Sequence, residues 1–258
     1  MPGTAIIGGS GFYDVPGCSL KDKWLVRTQY GDVSVLVYEA PGGGEFVFLP
    51  RHGERHTAPP HRVNYRANVL ALKLCGVERV IALASVGSLR EGLRPGDFVL
   101  LDQFIDFTKS RPSTFHDGSD DADGGVVHVD VTEPFCPEMR ACILGAPREG
   151  FTLHPTGTYV CAEGPRFETA AEIRMFAALG GDVVGMTLVP EVVLARELGL
   201  CYAGLAVVTN YAAGIAPRVS HEEVLAAMKK IEGVLAAYVV CCLAGVPAKR
   251  ACSCSGRS

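Results

Sequence analysis

The chain reads as an α/β protein with a mixed sheet, and three observations support that. Short apolar runs closed by turn or polar residues recur along it, and segments of helical periodicity fall between them. The length of 258 residues, with 48% apolar and 20% charged residues, suits one domain with a sizeable core. In chain order, the apolar runs Ala5 to Gly9, Val33 to Glu39, Phe46 to Pro50, Val80 to Ser85 and Phe98 to Asp102 predict strands in the first half. Gly157 to Ala162, Val183 to Met186 and Tyr202 to Thr209 predict strands in the second.

Helices are expected between these runs. Val63, Ala67, Leu70 and Leu74 recur at i, i+4, i+7 and i+11, and Gly76 supplies a stop, which predicts a helix packed on the sheet. Ala170 to Leu179 and Pro190 to Leu198 read as two more, the second opening on a proline whose missing N–H costs nothing in a first turn. Ser220 and Glu223 form a capping box that opens a last helix through Leu243. Lys109 to Gly125, rich in Ser, Asp and Gly, reads as too polar to pack and so as a mobile surface loop. The domain is assigned to residues 1–248, followed by a polar tail, 249–258, bearing Cys252-Ser253-Cys254.

Charge excludes several function classes. With 24 basic and 28 acidic residues the net charge is −4, and no basic run or aromatic-basic interleaving offers a footprint for nucleic acid or an anionic membrane. Small-molecule ligands are expected. No Lys or Arg precedes Lys21 and Ala5-Ile6-Ile7 is too short for a signal core, so a cytoplasmic location is expected. The uncharged stretch Gly233 to Ala248 is shorter than the roughly 20 residues of a spanning helix and reads as a buried core helix. The ten cysteines are scattered without paired C-x-x-C knuckles, so core thiols are expected rather than a structural zinc site, and no metal is assigned.

Several strand ends carry chemistry. Gly8-Gly9-Ser10-Gly11 follows a strand but lacks the third glycine of a dinucleotide loop, so it reads better as a compact turn whose N–H groups and Ser10 hydroxyl surround an oxyanion. Arg51-His52-Gly53 places a guanidinium at another strand end, suited to paired hydrogen bonds to phosphate, with a surface Arg–His pair as the bland alternative. Ser85 closes Val80-Ile81-Ala82-Leu83-Ala84. Three later segments stand out: Glu163-Gly164-Pro165-Arg166-Phe167-Glu168-Thr169, Gly185-Met186-Thr187-Leu188-Val189-Pro190-Glu191 and Thr209-Asn210-Tyr211.

Together these segments resemble the trimeric purine nucleoside phosphorylase and methylthioadenosine phosphorylase family. Gly87 to Glu91, Pro95 to Asp97, Asp102 to Asp106 and Glu133 to Pro137 extend the resemblance over nearly the whole chain. It implies a nucleoside phosphorylase fold, a mixed sheet bearing a distorted barrel flanked by helices. It also implies a homotrimer, or a dimer of trimers, with each site completed by a neighbour. The implied phosphate ligands are Ser10, Arg51, His52, Ser85 and Thr187. Met186 would lie under the ribose, Phe167 would offer its ring to the base, and His128, in Val127-His128-Val129, would reach a neighbour's ribose.

The implied reaction is phosphorolysis of the N-glycosidic bond in purine salvage, with inorganic phosphate as co-substrate and no cofactor. An Asn210 amide would donate to N7 and O6 of a 6-oxopurine as negative charge builds on the departing base. Glu168 would accept from N1–H and from a 2-amino group, a pattern adenine does not match. In the methylthioadenosine branch the positions matching 168, 210 and 212 are typically Ser, Asp and Asp, where this chain has Glu168, Asn210 and Ala212. His221 matches a histidine facing the ribose 5′-hydroxyl, its alternative being a solvated first-turn residue. His56 and His61 lie near the pocket-forming segment without assigned roles.

Inosine and guanosine are therefore the expected substrates. The alternatives are 5′-methylthioinosine or methylthioadenosine phosphorolysis, a noncatalytic nucleoside-binding protein and, more remotely, a nicotinamide-dependent oxidoreductase. Thermophilic members of the family carry a similar C-x-C and intracellular disulfides occur in such organisms, whereas the charged fraction is modest for a hyperthermophile. The tail is thus open between a frayed, reduced segment and a disulfide.

Overall fold

A computed structural model of the chain describes residues 2–118, 127–215 and 219–255, and its central strands are buried on both faces. The elements run β1 (Thr4–Gly8), β2 (Ser19–Thr28), β3 (Gly31–Glu39), β4 (Glu45–Pro50), α1 (Tyr65–Leu74), β5 (Arg79–Ser88), β6 (Phe98–Leu100) and β7 (Gln103–Phe107). They continue with α2 (Pro137–Gly145), β8 (Leu153–His154), β9 (Thr158–Ala162), α3 (Ala170–Ala178), β10 (Val183–Gly185), α4 (Leu188–Glu197), β11 (Cys201–Tyr211) and α5 (His221–Ala244).

Side-chain alternation distributes the apolar runs among three cores, the third gathering Val160, Ala162 and Val184 against Ile173 and Phe176 of α3. Along β5, Val80, Ala82, Ala84 and Val86 enter the first core while Ile81 and Leu83 enter the second, and β1 divides Ala5 and Ile7 from Ile6 in the same way. Residues of α1 and α4 join the first core and residues of α2 and α5 the second. The mixed α/β sheet expected from the sequence is therefore covered on both faces, as parallel strands with near-continuous apolar sequences require.

The sheet branches at β5. Its first residues, Arg79 to Ala82, pair in parallel with β1, and its last, Gly87 and Ser88, pair antiparallel with β10. Strand β11 runs in parallel beside nearly all of β5, from Cys201 opposite Arg79 to Tyr211 opposite Ser88. The part of β5 between these two pairings, Leu83 to Val86, has neither β1 nor β10 paired with it. A crevice opens there, at the carboxyl ends of β1, β4 and β10, which is where α/β sheets place their ligands.

Some expectations need correction. Strand β2 and helix α2 went unread because neither carries a long apolar run. Most of β2 is exposed, and it is held by its antiparallel ladder with β3, while α2 buries Met139 and Ile143. Helix α1 is rotated from the expected stripe: Leu74 is 54% exposed, whereas Asn68 and Leu72 are buried. The cause is polar, because the Asn68 amide donates to the Arg51 carbonyl at 3.1 Å and fixes that face inward. The segment from 109 to 118 is not too polar to pack. Arg111 is buried and donates to the carbonyls of Val189 and Glu163, and Phe115 packs on the first core; residues 119–125 lie outside the described residues.

The uncharged stretch within α5 is buried on one side, with Val234 40% exposed and Leu235, Tyr238 and Val239 buried. Among the described residues no helix is long and apolar enough to cross a membrane. The tail is not frayed over its described part: Cys254 is buried and Ser253–Ser255 forms a short 3-10 turn, with no S–S bond drawn between Cys252 and Cys254; residues 256–258 lie outside the described residues.

Ser220 caps α5 as expected, accepting from the Glu223 N–H while Glu223 reaches back to the Ser220 N–H. Removing the cap by Ser220→Ala is expected to lower stability by about 1 kcal/mol. Urea unfolding monitored by circular dichroism would show this as a lower midpoint with unchanged slope.

Candidate active site

A pocket of about 330 Å³ occupies the crevice, and every predicted site residue except His128 lines it. Its floor is the turn after β1. Gly9 is needed there because a Cβ would stand 2.9 Å from Nη1 of Arg51 and 3.1 Å from the Leu83 carbonyl oxygen. The Ser85 hydroxyl donates to the Ser10 carbonyl at 2.8 Å, tying β5 to this turn. Thr187, buried at the start of α4, is positioned by its N–H, which donates to the Tyr159 hydroxyl at 3.0 Å. Ser10, Ser85 and Thr187 thus bring three hydroxyl groups to one end of the pocket.

Arg51 sits behind that floor with its side chain fully buried. The paired grip expected on phosphate is made instead on Glu191, through Nε at 2.7 Å and Nη2 at 2.8 Å, while Nη1 donates to the Leu83 carbonyl at 2.8 Å. A buried guanidinium needs a carboxylate partner. Tyr202 completes the group by donating to Glu191 at 2.7 Å. Burial works against the Arg51 charge, but the Glu191 carboxylate outweighs it and the net shift of its pKa is upward. Glu191, Tyr202 and Tyr159 were missed as site residues because they work through other side chains.

His52 is neutral here. Burial first, then the adjacent Arg51 charge, lower its pKa from 6.5 to about 3. With Nδ1 donating to the Ala58 carbonyl at 2.8 Å, Nε2 keeps a buried, unpaired lone pair. The His52 and His56 rings lie 4.3 Å apart, and His56 stacks at 6.4 Å with the His221 ring. His56 also has a left-handed backbone, φ 50°, and its pKa is lowered by burial and by His221. Sequence reading gave it no role, yet it lines the pocket, whereas His61 does not.

The pocket is also lined by apolar side chains. Phe167 and Met186 line it, and Gly164, at φ +67°, leaves the space that Met186 fills: a Cβ there would approach the Met186 sulfur to 2.6 Å. A register shift between Val208 and Asn210 in the β11–β5 ladder re-aims Asn210, as bulges near binding sites do. The Asn210 amide donates to the Tyr211 carbonyl at 2.9 Å, and its Oδ1 accepts from the Thr209 hydroxyl at 2.9 Å. That assignment turns the amide nitrogen into a donor with one N–H to spare. Across the pocket, Glu168 has a buried Oε1 without a partner, and burial raises its pKa above the usual carboxylate range.

These features define the class: an α/β enzyme fold with a crevice lined by three hydroxyl-bearing residues, apolar side chains, the Asn210 amide and the Glu168 carboxylate. The chain belongs to the phosphorylase superfamily, whose family model matches residues 4–245. It is 51% identical to the 6-oxopurine nucleoside phosphorylase of Pyrococcus furiosus, with 98% of this chain and 97% of that protein covered. It is 47% identical to the S-methyl-5′-thioadenosine phosphorylase of Pyrococcus abyssi, over 99% of this chain and 97% of that one. Among solved structures, methylthioadenosine phosphorylase from Schistosoma mansoni in complex with adenine superimposes with a TM-score of 0.89 at 36% identity, covering 97% of this chain and 93% of its own.

His128 is exposed and lies outside this chain's pocket. Two consequences of the buried groups are measurable. Glu191→Ala leaves the Arg51 charge uncompensated and is expected to cost about 3–5 kcal/mol, read as a lower melting temperature, with Glu191→Gln less damaging. The depressed pKa of His52 gives pH a definite sign: as pH falls from 6.5 toward 3 the unfolded chain takes up a proton that the folded chain lacks. Its contribution to stability therefore declines by about 1.4 kcal/mol per pH unit over that window. Urea titrations near pH 7, 6 and 5 are expected to show a shallower decline for His52→Gln.

Proposed function

We propose that the chain catalyses phosphorolysis of 6-oxopurine nucleosides, inosine and guanosine, releasing the free base and ribose 1-phosphate in purine salvage. The observation that carries this reading is that one pocket is lined both by the Asn210 amide, held as a donor, and by the unpaired Glu168 carboxylate oxygen. A 6-oxopurine offers an acceptor at O6 and a donor at N1. Adenine reverses both and would leave each group buried and unsatisfied.

The reaction follows from these placements. Phosphate, resting against the turn at Ser10 with Ser85, Thr187 and His52 around it, attacks the anomeric carbon as the bond to N9 breaks. The bonding electrons pass into the purine, where the spare Asn210 N–H stabilises charge that is greatest in the transition state. The Nε2 lone pair of neutral His52 suits a protonated phosphate oxygen. Arg51 lends positive charge from behind the turn, close to Gly9. Phosphate is a co-substrate, and no metal or organic cofactor takes part. His221 meets the 5′-hydroxyl beside His56. The active assembly is a homotrimer in which the exposed His128 serves a neighbouring site.

A 5′-methylthioinosine phosphorylase is the second reading, favoured by the 47% identity to a protein named for a methylthio substrate. A panel of inosine, guanosine, adenosine and methylthioinosine, assayed with and without phosphate, separates the readings. Inosine is expected to outpace adenosine by roughly 10⁴-fold in kcat/KM. Faster turnover of adenosine would sink the base assignment. Asn210→Ala is expected to lower kcat about 10²- to 10³-fold, and His221→Val to raise the relative rate on methylthioinosine.

A further inference from the structure

Four of the ten cysteines, drawn from three segments remote from one another in sequence, meet in the fold. Cys136 is the residue that caps the start of α2, Cys201 opens β11, and Cys252 and Cys254 come from the tail. Their sulfur atoms all lie within 4.8 Å of one another, with Cys201 and Cys252 at 3.3 Å. Cys136, Cys201 and Cys254 are buried and Cys252 is half-buried. None of the four lines the pocket described above.

We propose that Cys136, Cys201, Cys252 and Cys254 form a closed tetrathiolate site for a zinc ion that fastens the C-terminal segment to the body of the protein. A tetrahedral ion with Zn–S bonds of about 2.3 Å sets sulfur–sulfur edges of about 3.8 Å. The 3.3 Å separation and the 4.8 Å limit bracket that edge. Two disulfides would need only two close pairs, whereas here each sulfur lies near the other three. Four protein ligands leave no open position, so the role is structural.

The surroundings suit four thiolates. A Zn(II) tetrathiolate carries a net charge of −2, and Arg250 is close enough to interact electrostatically with Cys201 and Cys252.

The tail is already held in position for this. The Glu138 carboxylate accepts from the N–H groups of Ala251 and Cys252 at 2.8 and 3.0 Å, and Arg250 donates to the Gly199 carbonyl at 2.8 Å. The absence of C-x-x-C pairs, which argued against zinc in the sequence, reflects only how the ligands are dispersed: one on a helix end, one on a strand and two on a C-x-C.

The test is metal analysis of the full-length protein purified anaerobically under reducing conditions from zinc-supplemented cells. About one zinc per chain is expected, with cobalt substitution giving the absorption of a tetrahedral tetrathiolate. A Cys252→Ser/Cys254→Ser variant is expected to lose at least about nine-tenths of the zinc and to melt at least about 5 °C lower, with unchanged inosine phosphorolysis at room temperature. Failure of the reduced wild-type protein to bind an added equivalent of zinc or cobalt would overturn the proposal. So would a metal-free protein with an intact mass about 4 Da below that of the fully reduced chain, the signature of two disulfides. Because cobalt reports on the wild type, the test stands even if the variant fails to fold.

Discussion

The arrangement of the site depends on one buried ion pair. Arg51 follows β4, Glu191 lies in α4, Tyr202 in β11 and Leu83 in β5, and hydrogen bonds of 2.7 to 2.8 Å join them. Asn68 of α1 adds a bond to the Arg51 carbonyl. Taking two charges out of water costs several kcal/mol per ion, recovered only when geometry and additional hydrogen bonds are good. The cluster therefore tolerates little displacement of any of these elements. It also fixes which face of α1 turns inward and how the Gly9 turn lies over the guanidinium.

This constraint explains what the sequence made legible. The central strands were readable because burial on both faces demands apolar runs such as Val80-Ile81-Ala82-Leu83-Ala84. Capping at Ser220 was readable because the box is local. Strand β2 was not, since backbone pairing with β3 rather than an apolar face holds it, and its Leu20 and Leu25 are 55% and 60% exposed. The rotation of α1 was hidden because Asn68, a polar residue, sets it through a partner at position 51.

Site residues divided along the same line. Those proposed to meet substrate directly, such as Asn210, Glu168 and Ser10, stand in recognisable segments and come together in one pocket. Those acting through other residues were not recoverable from spacing: Glu191 holding Arg51, Tyr159 holding Thr187, Thr209 holding Asn210. The four-cysteine cluster belongs to this second kind, since 115 or more positions separate Cys136 from the tail cysteines and only the fold closes that distance.

The fixed donor at Asn210 shows how the two kinds of residue combine. An asparagine presents either a carbonyl or an amide to a ligand, so its identity alone does not choose between purines. The choice comes from its neighbours: the Tyr211 carbonyl can only accept and so orients the nitrogen, while the Thr209 hydroxyl, which also has the Val86 carbonyl as an acceptor at 3.2 Å, lies against Oδ1. The register shift before Asn210 makes both contacts possible, by letting β11 follow β5 to Ser88 while Thr209 stays out of the ladder. Aspartate at this position would keep the backbone path but put an acceptor where the amide nitrogen donates, and the Tyr211 carbonyl would then oppose it. On the proposed reading, discrimination at the base rests on the irregularity in the ladder as much as on the residue it carries.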